Sequence, residues 1–196
     1  RKESSAASDV YKRQLISTVQ SEDSLFVYIV NDSNIGGECN LLFDHIDYYG
    51  NHLDNEMVST KFYADSSTLT KTISLNDFLL KDSIEYRSYL DINMMIGAEV
   101  KSRKIHHFVK TKHMDLQSPN ITCKIYEDSL GFEIEILSDV FVKDLMIECT
   151  YEGRFEFNYF DLPAHESKRI RFFNENLIDQ FDINALSFYS IIDTYE

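Results

Sequence analysis

The sequence predicts an all-β protein built from two consecutive immunoglobulin-like antiparallel β-sandwiches. Three observations carry this reading. Short runs rich in β-branched and aromatic residues recur about every 10 to 15 residues, separated by Gly, Asn, Asp and Ser clusters. No amphipathic helix of three turns can be drawn anywhere, which excludes a βα barrel and a doubly wound sheet. A polar stretch from Lys110 to Pro119 divides the chain into halves close to the roughly 100 residues of an immunoglobulin-like domain. The Cys…Trp…Cys pattern of antibody domains is absent, because the chain has no tryptophan.

In the first half, Leu25 to Val30 suits a pleated, buried surface. Asn31 to Gly37 is a turn cluster. Cys39 to Ile46 and Glu56 to Tyr63 read as strands joined by the turn Asp47–Tyr48–Tyr49–Gly50–Asn51. Leu69 to Leu75 alternates Leu69, Ile73 and Leu75 against Thr70, Thr72 and Ser74, so one face is wet. Asn76 to Leu80 reads as a short helical turn. Tyr86 to Ile96 and Val100 to Val109 follow as strands around a Gly97–Ala98 turn.

The second half repeats the rhythm. Strands are expected at Ile121 to Ile125, Phe132 to Ile136, Val140 to Thr150, Phe155 to Phe160 and Lys168 to Phe173. After a loop from Asn174 to Asp182, Ala185 to Ile192 is the expected last strand.

Ser4 to Gln14 matches, codon by codon, the translation of a widely used transposase sequencing adapter. Residues 1–14 are therefore set aside from fold reasoning. The natural N-terminus is expected to lie upstream, so the presence of a signal peptide is not readable. The domain scheme is then 1–14 adapter, 15–109 first domain and 110–196 second domain.

The formal net charge is −14. Setting aside Arg1, Lys2, Lys12 and Arg13 against Glu3 and Asp9 leaves the chain more acidic still. Such a surface repels nucleic acid and anionic membranes. No apolar run reaches the roughly 20 residues of a membrane helix. Three cysteines, Cys39, Cys123 and Cys149, form no disulfide framework and read as packed thiols.

Few residues invite a catalytic reading. Glu133 and Glu135 share one strand face about 7 Å apart, between the two carboxylate spacings of glycosidases. Phe132, Ile134 and Ile136 line the opposite face, so the glutamates read as the wet side of an amphipathic strand. His106 and His107 are strand neighbours that point to opposite faces and cannot share one metal ion. His45 and Asp47 read as a solvent-facing pair. No G-x-S-x-G, histidine-supported cysteine or phosphate-binding glycine loop occurs. Asn31–Asp32–Ser33 and Asn120–Ile121–Thr122 fit the N-glycosylation pattern, although turn geometry accounts for Asn31. Tyr48 and Tyr49 are candidates for sugar stacking, with core or rim packing as the plainer role. No catalytic, cofactor-binding or metal-binding residue is assigned, and no cofactor is expected.

The order of motifs is informative. Phe26 to Asp32 resembles the opening strand of the immunoglobulin-like domain that follows the catalytic barrel in β-mannosidases of glycoside hydrolase family 2. Asp47 to Asn51 is similar to that domain's D-x-x-G hairpin, and Lys112 to Ile121 to the linker of the family's last domain. Asp139 to Leu145 resembles the family's following strand. Phe155 to Pro163 resembles its F-S-D-N-[FY]-F-D-L-L-P-G signature, and Ala185 to Tyr189 its closing strand. The signature departs here at Glu156–Phe157, lacks one leucine before Pro163, and has Ala164–His165 where glycine would follow.

The resemblance implies the non-catalytic C-terminal accessory region of a retaining exo-glycosidase that removes terminal β-D-mannose. The catalytic barrel of the same parent chain would be its partner. The β-mannoside or oligosaccharide substrate would be met only through that parent, in a periplasmic or secreted setting. The alternatives are a carbohydrate-binding or adhesin-like module, and a spacer in another multidomain glycosidase.

Overall fold

A computed structural model describes residues 14–78, 84–128, 131–174 and 181–194. Two compact units emerge: residues 14–47 and 51–115 form one, and residues 48–50 and 116–194 the other. Each is a sandwich of two antiparallel sheets.

In the first unit, β1 (Gln14–Gln20), β2 (Ser24–Asn31) and β5 (Ser66–Ser74) form one sheet in the order β1-β2-β5. The second sheet contains β3 (Gly37–Asp47), β4 (His52–Phe62), β6 (Ser88–Ile96) and β7 (Glu99–His107), in the order β4-β3-β6-β7. Alternation explains the core. Leu25, Val27 and Ile29 point inward from β2 and meet Leu41, Phe43, Leu90, Ile92 and Met94 from the facing sheet. The open edge between β1 and β7 is closed by side chains. The Ile16 amide donates to Ser102 Oγ (3.2 Å), and Gln20 Nε2 donates to the Phe108 carbonyl (3.0 Å).

β1 falls outside the strands expected from sequence. Its β-branched residues Ile16, Thr18 and Val19 carry the signal, and its first residue, Gln14, is the last of the adapter-like stretch. The phase of β5 also differs from expectation. The ladder shifts between Val27 and Tyr28, which pair with Lys71 and Leu69, so Thr70 is an extra residue on β5. This β-bulge puts Ile73 inside and Leu69 outside, where a regular ladder would put both on one face. Thr70 Oγ1 secures the bulge by donating to the Val27 carbonyl (2.9 Å). A short helix, α1 (Leu75–Phe78), follows; the remainder of the expected helical turn, Leu79 and Leu80, lies outside the described residues.

In the second unit, β8 (Ile121–Asp128), β9 (Gly131–Ser138), β11 (Arg154–Phe155) and β13 (Ser167–Phe173) form a sheet ordered β11-β13-β9-β8. β10 (Val142–Cys149), β12 (Phe160–Leu162) and β14 (Leu186–Tyr189) form the facing sheet, ordered β12-β10-β14. Phe132, Ile134, Ile136, Leu145, Ile147, Ile170 and Phe172 fill the space between them. The last strand is shorter than Ala185 to Ile192. Ile183–Ala185 and Ile191–Thr194 are 3-10 turns, the first capped by Asp182, whose carboxylate accepts from the Asn184 amide (2.9 Å).

The two sandwiches establish the all-β, doubly immunoglobulin-like class. The expected continuous strand from Phe155 to Phe160 does not form. Residues 156–159 leave the ladder, and Tyr159 takes a left-handed φ of 62°.

Candidate functional site

The signature segment departs from a strand because one side chain replaces the strand. Asn158 Oδ1 accepts from the Ile147 amide at 2.8 Å, and Asn158 Nδ2 donates to the Ile147 carbonyl at 2.8 Å. One carboxamide thus satisfies both backbone groups of a β10 residue, as a paired strand would. The flanking aromatics pack around it. The Phe157 and Phe160 rings meet edge to face at 5.6 Å, and Lys168 Nζ lies over both rings at 4.8 and 4.4 Å. Asp161 accepts from Lys143 Nζ (2.8 Å) and from the Asp144 amide (3.1 Å), which holds the irregular start of β10. Past Pro163, the left-handed position falls on His165 (φ 62°), one residue beyond Ala164. These groups are spent on structure.

Glu133 and Glu135 occupy the outer face of β9, opposite the buried Phe132, Ile134 and Ile136. Arg169 of β13 reaches both: its Nε donates to Glu135 (3.0 Å) and its Nη1 to Glu133 (3.4 Å). Tyr126 of β8 donates to Glu135 at 2.9 Å. Hydrogen bonds from Tyr126 and then Arg169 hold the Glu135 carboxyl below its usual range. A catalytic acid needs the opposite shift. The pair is a cross-strand charge ladder on a wet face.

His45 departs from the solvent-facing role expected of it. It follows Cys39, Leu41 and Phe43 on the inward phase of β3 and is buried. Its Nε2 lies 2.8 Å from Ser88 Oγ, and Ser88 donates to the Ile84 carbonyl, which makes the histidine the donor. Burial lowers its pKa. The i, i+2 spacing from Phe43 was the available signal. Asp47 instead closes the hairpin, accepting from the Asn51 amide and side chain at 2.8 and 2.9 Å.

His106 is equally occupied. Nε2 donates to Gln20 Oε1 (2.8 Å), and Nδ1 accepts from Thr18 Oγ1 (3.1 Å). Burial first, then the neighbouring His107 and Lys104 charges, push its pKa down to about 4. An unfolded histidine titrates near 6.5. As pH falls, the unfolded chain takes the proton first, so the stability is present above about pH 6.5 and lost towards pH 4. We expect a loss of about 1–3 kcal/mol from the first domain across that window. Urea titrations at stepped pH should show a shallower loss for His106→Gln; an unchanged slope would remove His106 as the cause.

Both sequence-predicted glycosylation sites are placed. Asn31 is fully buried. Its Nδ2 donates to the carbonyls of Ile35 (2.9 Å) and Tyr63 (2.8 Å), and its Oδ1 accepts from Ser33 N, Ser33 Oγ and Gln14 Nε2. No oligosaccharide fits there. Asn120 is exposed at the start of β8. Tyr49 is exposed, but Tyr48 is buried, its ring 5.3 Å from Phe141, and burial raises its phenol pKa. Tyr48 therefore cannot stack on a sugar. The three cysteines are free thiols, Cys39 buried and Cys123 and Cys149 partly so, each with its pKa raised by burial.

A cleft of about 300 Å3 opens beside Glu38, Asn40, Ser59, Lys61 and Met95. Its polar groups are matched among themselves, Lys61 to Glu38 at 3.1 Å and Ser59 to Asn40 at 2.7 Å. Among the described residues, no three His, Cys, Asp or Glu side chains converge on a metal position. No described helix is long and apolar enough to cross a membrane.

Two sandwiches of antiparallel sheets in succession define a tandem of immunoglobulin-like domains. The chain belongs to the mannosidase immunoglobulin-like families: residues 23–113 match the mannosidase Ig/CBM-like domain, and residues 116–194 the mannosidase Ig-fold domain. A comparison with curated proteins returned no match. Among solved structures, the chain is similar to a β-D-mannosidase from Dictyoglomus thermophilum, with TM-score 0.71 and 14% identity over 92% of this chain and 22% of that one. It is also similar to an exo-chitosanase from Amycolatopsis orientalis, with TM-score 0.54 and 7% identity over 91% of this chain and 24% of that one. The chain thus spans about a quarter or less of the proteins it resembles.

Proposed function

We propose that this chain is the non-catalytic accessory region of a β-mannosidase-like retaining exo-glycosidase of glycoside hydrolase family 2. In this reading, residues 15–109 and 110–196 are its two terminal immunoglobulin-like domains, and residues 1–14 are translated adapter. The catalytic barrel lies elsewhere in the parent polypeptide, whose substrate is a terminal β-D-mannoside in a periplasmic or secreted setting. The observation that carries the reading is the tandem of two mannosidase-type domains, in order, across residues 23–194. The chemistry of the described side chains supports it, because the one carboxylate pair with suggestive spacing is matched by two cations, Arg169 and Arg171.

The test is an assay of the purified 196-residue chain and of the full-length polypeptide recovered from the source DNA. Hydrolysis of an aryl β-D-mannoside by the full-length polypeptide alone is expected. Activity in the short chain, or a full-length polypeptide without it, would overturn the reading. Calorimetric titration of the short chain with mannobiose should be flat; measurable heat would favour a carbohydrate-binding module. Glu133→Gln and Glu135→Gln in the full-length enzyme should leave kcat within about twofold of wild type, because a catalytic carboxylate would cost orders of magnitude.

A further inference from the structure

We propose that the outer face of the β1-β2-β5 sheet is an intramolecular docking surface, covered in the whole polypeptide by an apolar surface of its catalytic domain. This rests on the accessory-region reading above.

The register defines the face. Leu15 pairs with Val30, Val19 with Phe26, and Tyr28 with Leu69. These six residues alternate with the inward set of Ile16, Leu25, Val27 and Ile29, so they point away from the core. Val19 is 54% exposed and Leu69 50%, and the other four are partly exposed. The positions that complete the rows are Ser17, Ser67 and Thr72. No charged side chain interrupts the face, although 27% of the chain is charged.

Comparison within the molecule shows what a wet face looks like here. The outer face of β13-β9-β8 pairs Arg169 with Glu135, and Arg171 with Glu133. The outer face of β4-β3-β6-β7 carries the exposed ion pair Lys61–Glu38. The β5 bulge sharpens the contrast. Without it, Leu69 would point inward with Ile73; with it, a leucine is turned outward to complete the apolar rows. A leucine turned outward forfeits burial that a covering surface returns.

Size decides the occupant. The rows measure about 14 Å along the strands and about 10 Å across. That is far below the roughly 800 Å2 per partner of a stable bimolecular interface, so a second copy is too weak an occupant. A tethered partner works at an effective concentration near the millimolar range and needs much less area. The similar mannosidase has more than three-quarters of its length outside the region this chain aligns with. The partner surface is apolar at its centre and free of acidic groups at its rim, given the net charge of −14 on this side.

The test is the double substitution Val19→Lys, Leu69→Lys, made in the short chain and in the full-length polypeptide, with Leu137→Lys on the charged face as control. Both target side chains are half in water, so the short chain should keep its melting temperature and remain a monomer by sedimentation. In the full-length polypeptide, limited proteolysis should release the two-domain tail about tenfold faster than in wild type or the control. An unchanged release rate would overturn the docking surface. So would a wild-type short chain that dimerises and loses the dimer on double substitution, because a second copy would then be the occupant. Faster release from a full-length polypeptide lacking β-mannosidase activity supports the surface while sinking the functional reading. Activity with an unchanged release rate does the reverse.

Discussion

Replacing Asn158 with alanine is expected to destabilise the second sandwich by about 2–4 kcal/mol, a melting-temperature drop of about 10 °C or more for a domain of this size. The reason is an asymmetry in hydrogen-bond energetics. Each bond contributes only about 1 kcal/mol when made, but a backbone group stripped of its partner and shielded from water costs about 1–3 kcal/mol. Asn158 serves both the amide and the carbonyl of Ile147, whose side chain sits in the core at 2% exposure. Leu145, two residues away on the same strand, and its cross-strand partner Phe160 belong to the same core.

Asn158→Asp separates the two bonds. The carboxylate still accepts from the Ile147 amide but opposes the Ile147 carbonyl, so we expect a loss at neutral pH comparable to alanine. Asn158→Gln places the carboxamide one methylene too far and should not rescue. Hydrogen exchange at the Ile147 amide gives a direct readout, with protection falling in parallel with stability. A loss below about 0.5 kcal/mol for Asn158→Ala would mean that the clamp is incidental.

The second large effect is expected at Asn31, in the first sandwich. Asn31→Ala removes a fully buried carboxamide that bridges the end of β2 to the Ile35 and Tyr63 carbonyls and to Ser33. We expect a cost of about 2–4 kcal/mol, confined to the unfolding transition of that domain. Asn31→Asp adds a sign test. A buried carboxylate facing two carbonyls binds its proton more tightly when folded than when unfolded. Its folded pKa is therefore raised, and the deficit relative to wild type should grow as pH rises from about 4 and shrink as pH falls. A deficit independent of pH would show that the site admits water. Because both amide hydrogens are engaged, mass spectrometry after expression in a glycosylating host should find no glycan on Asn31.

Much of the fold is legible in the residues alone. Strict alternation in Phe132–Glu133–Ile134–Glu135–Ile136 marks a half-buried strand, and the structure places Ile134 and Ile136 in the core with both glutamates outside. The same rule extended from Phe43 buries His45, although its polar chemistry points to the solvent side. Leu69 shows the opposite case, because its phase breaks at a bulge that the sequence does not announce. Asn158 is marked by the family signature, yet nothing in local propensity tells a strand residue from one whose side chain imitates a strand.

The sequence by itself determined the all-β class, the approximate positions of most strands, the acidic surface and the mannosidase-type motif order. These depend on local alternation, turn chemistry and composition, which are properties of contiguous residues. Only the tertiary structure decided where alternation breaks, which polar groups are consumed by the backbone, and which sheet face lacks charge. Those outcomes depend on partners far apart in sequence: Thr70 against Val27, Asn158 against Ile147, and Arg169 between Glu133 and Glu135. A side chain's role is settled by the groups that meet it, and a linear sequence does not bring those groups together.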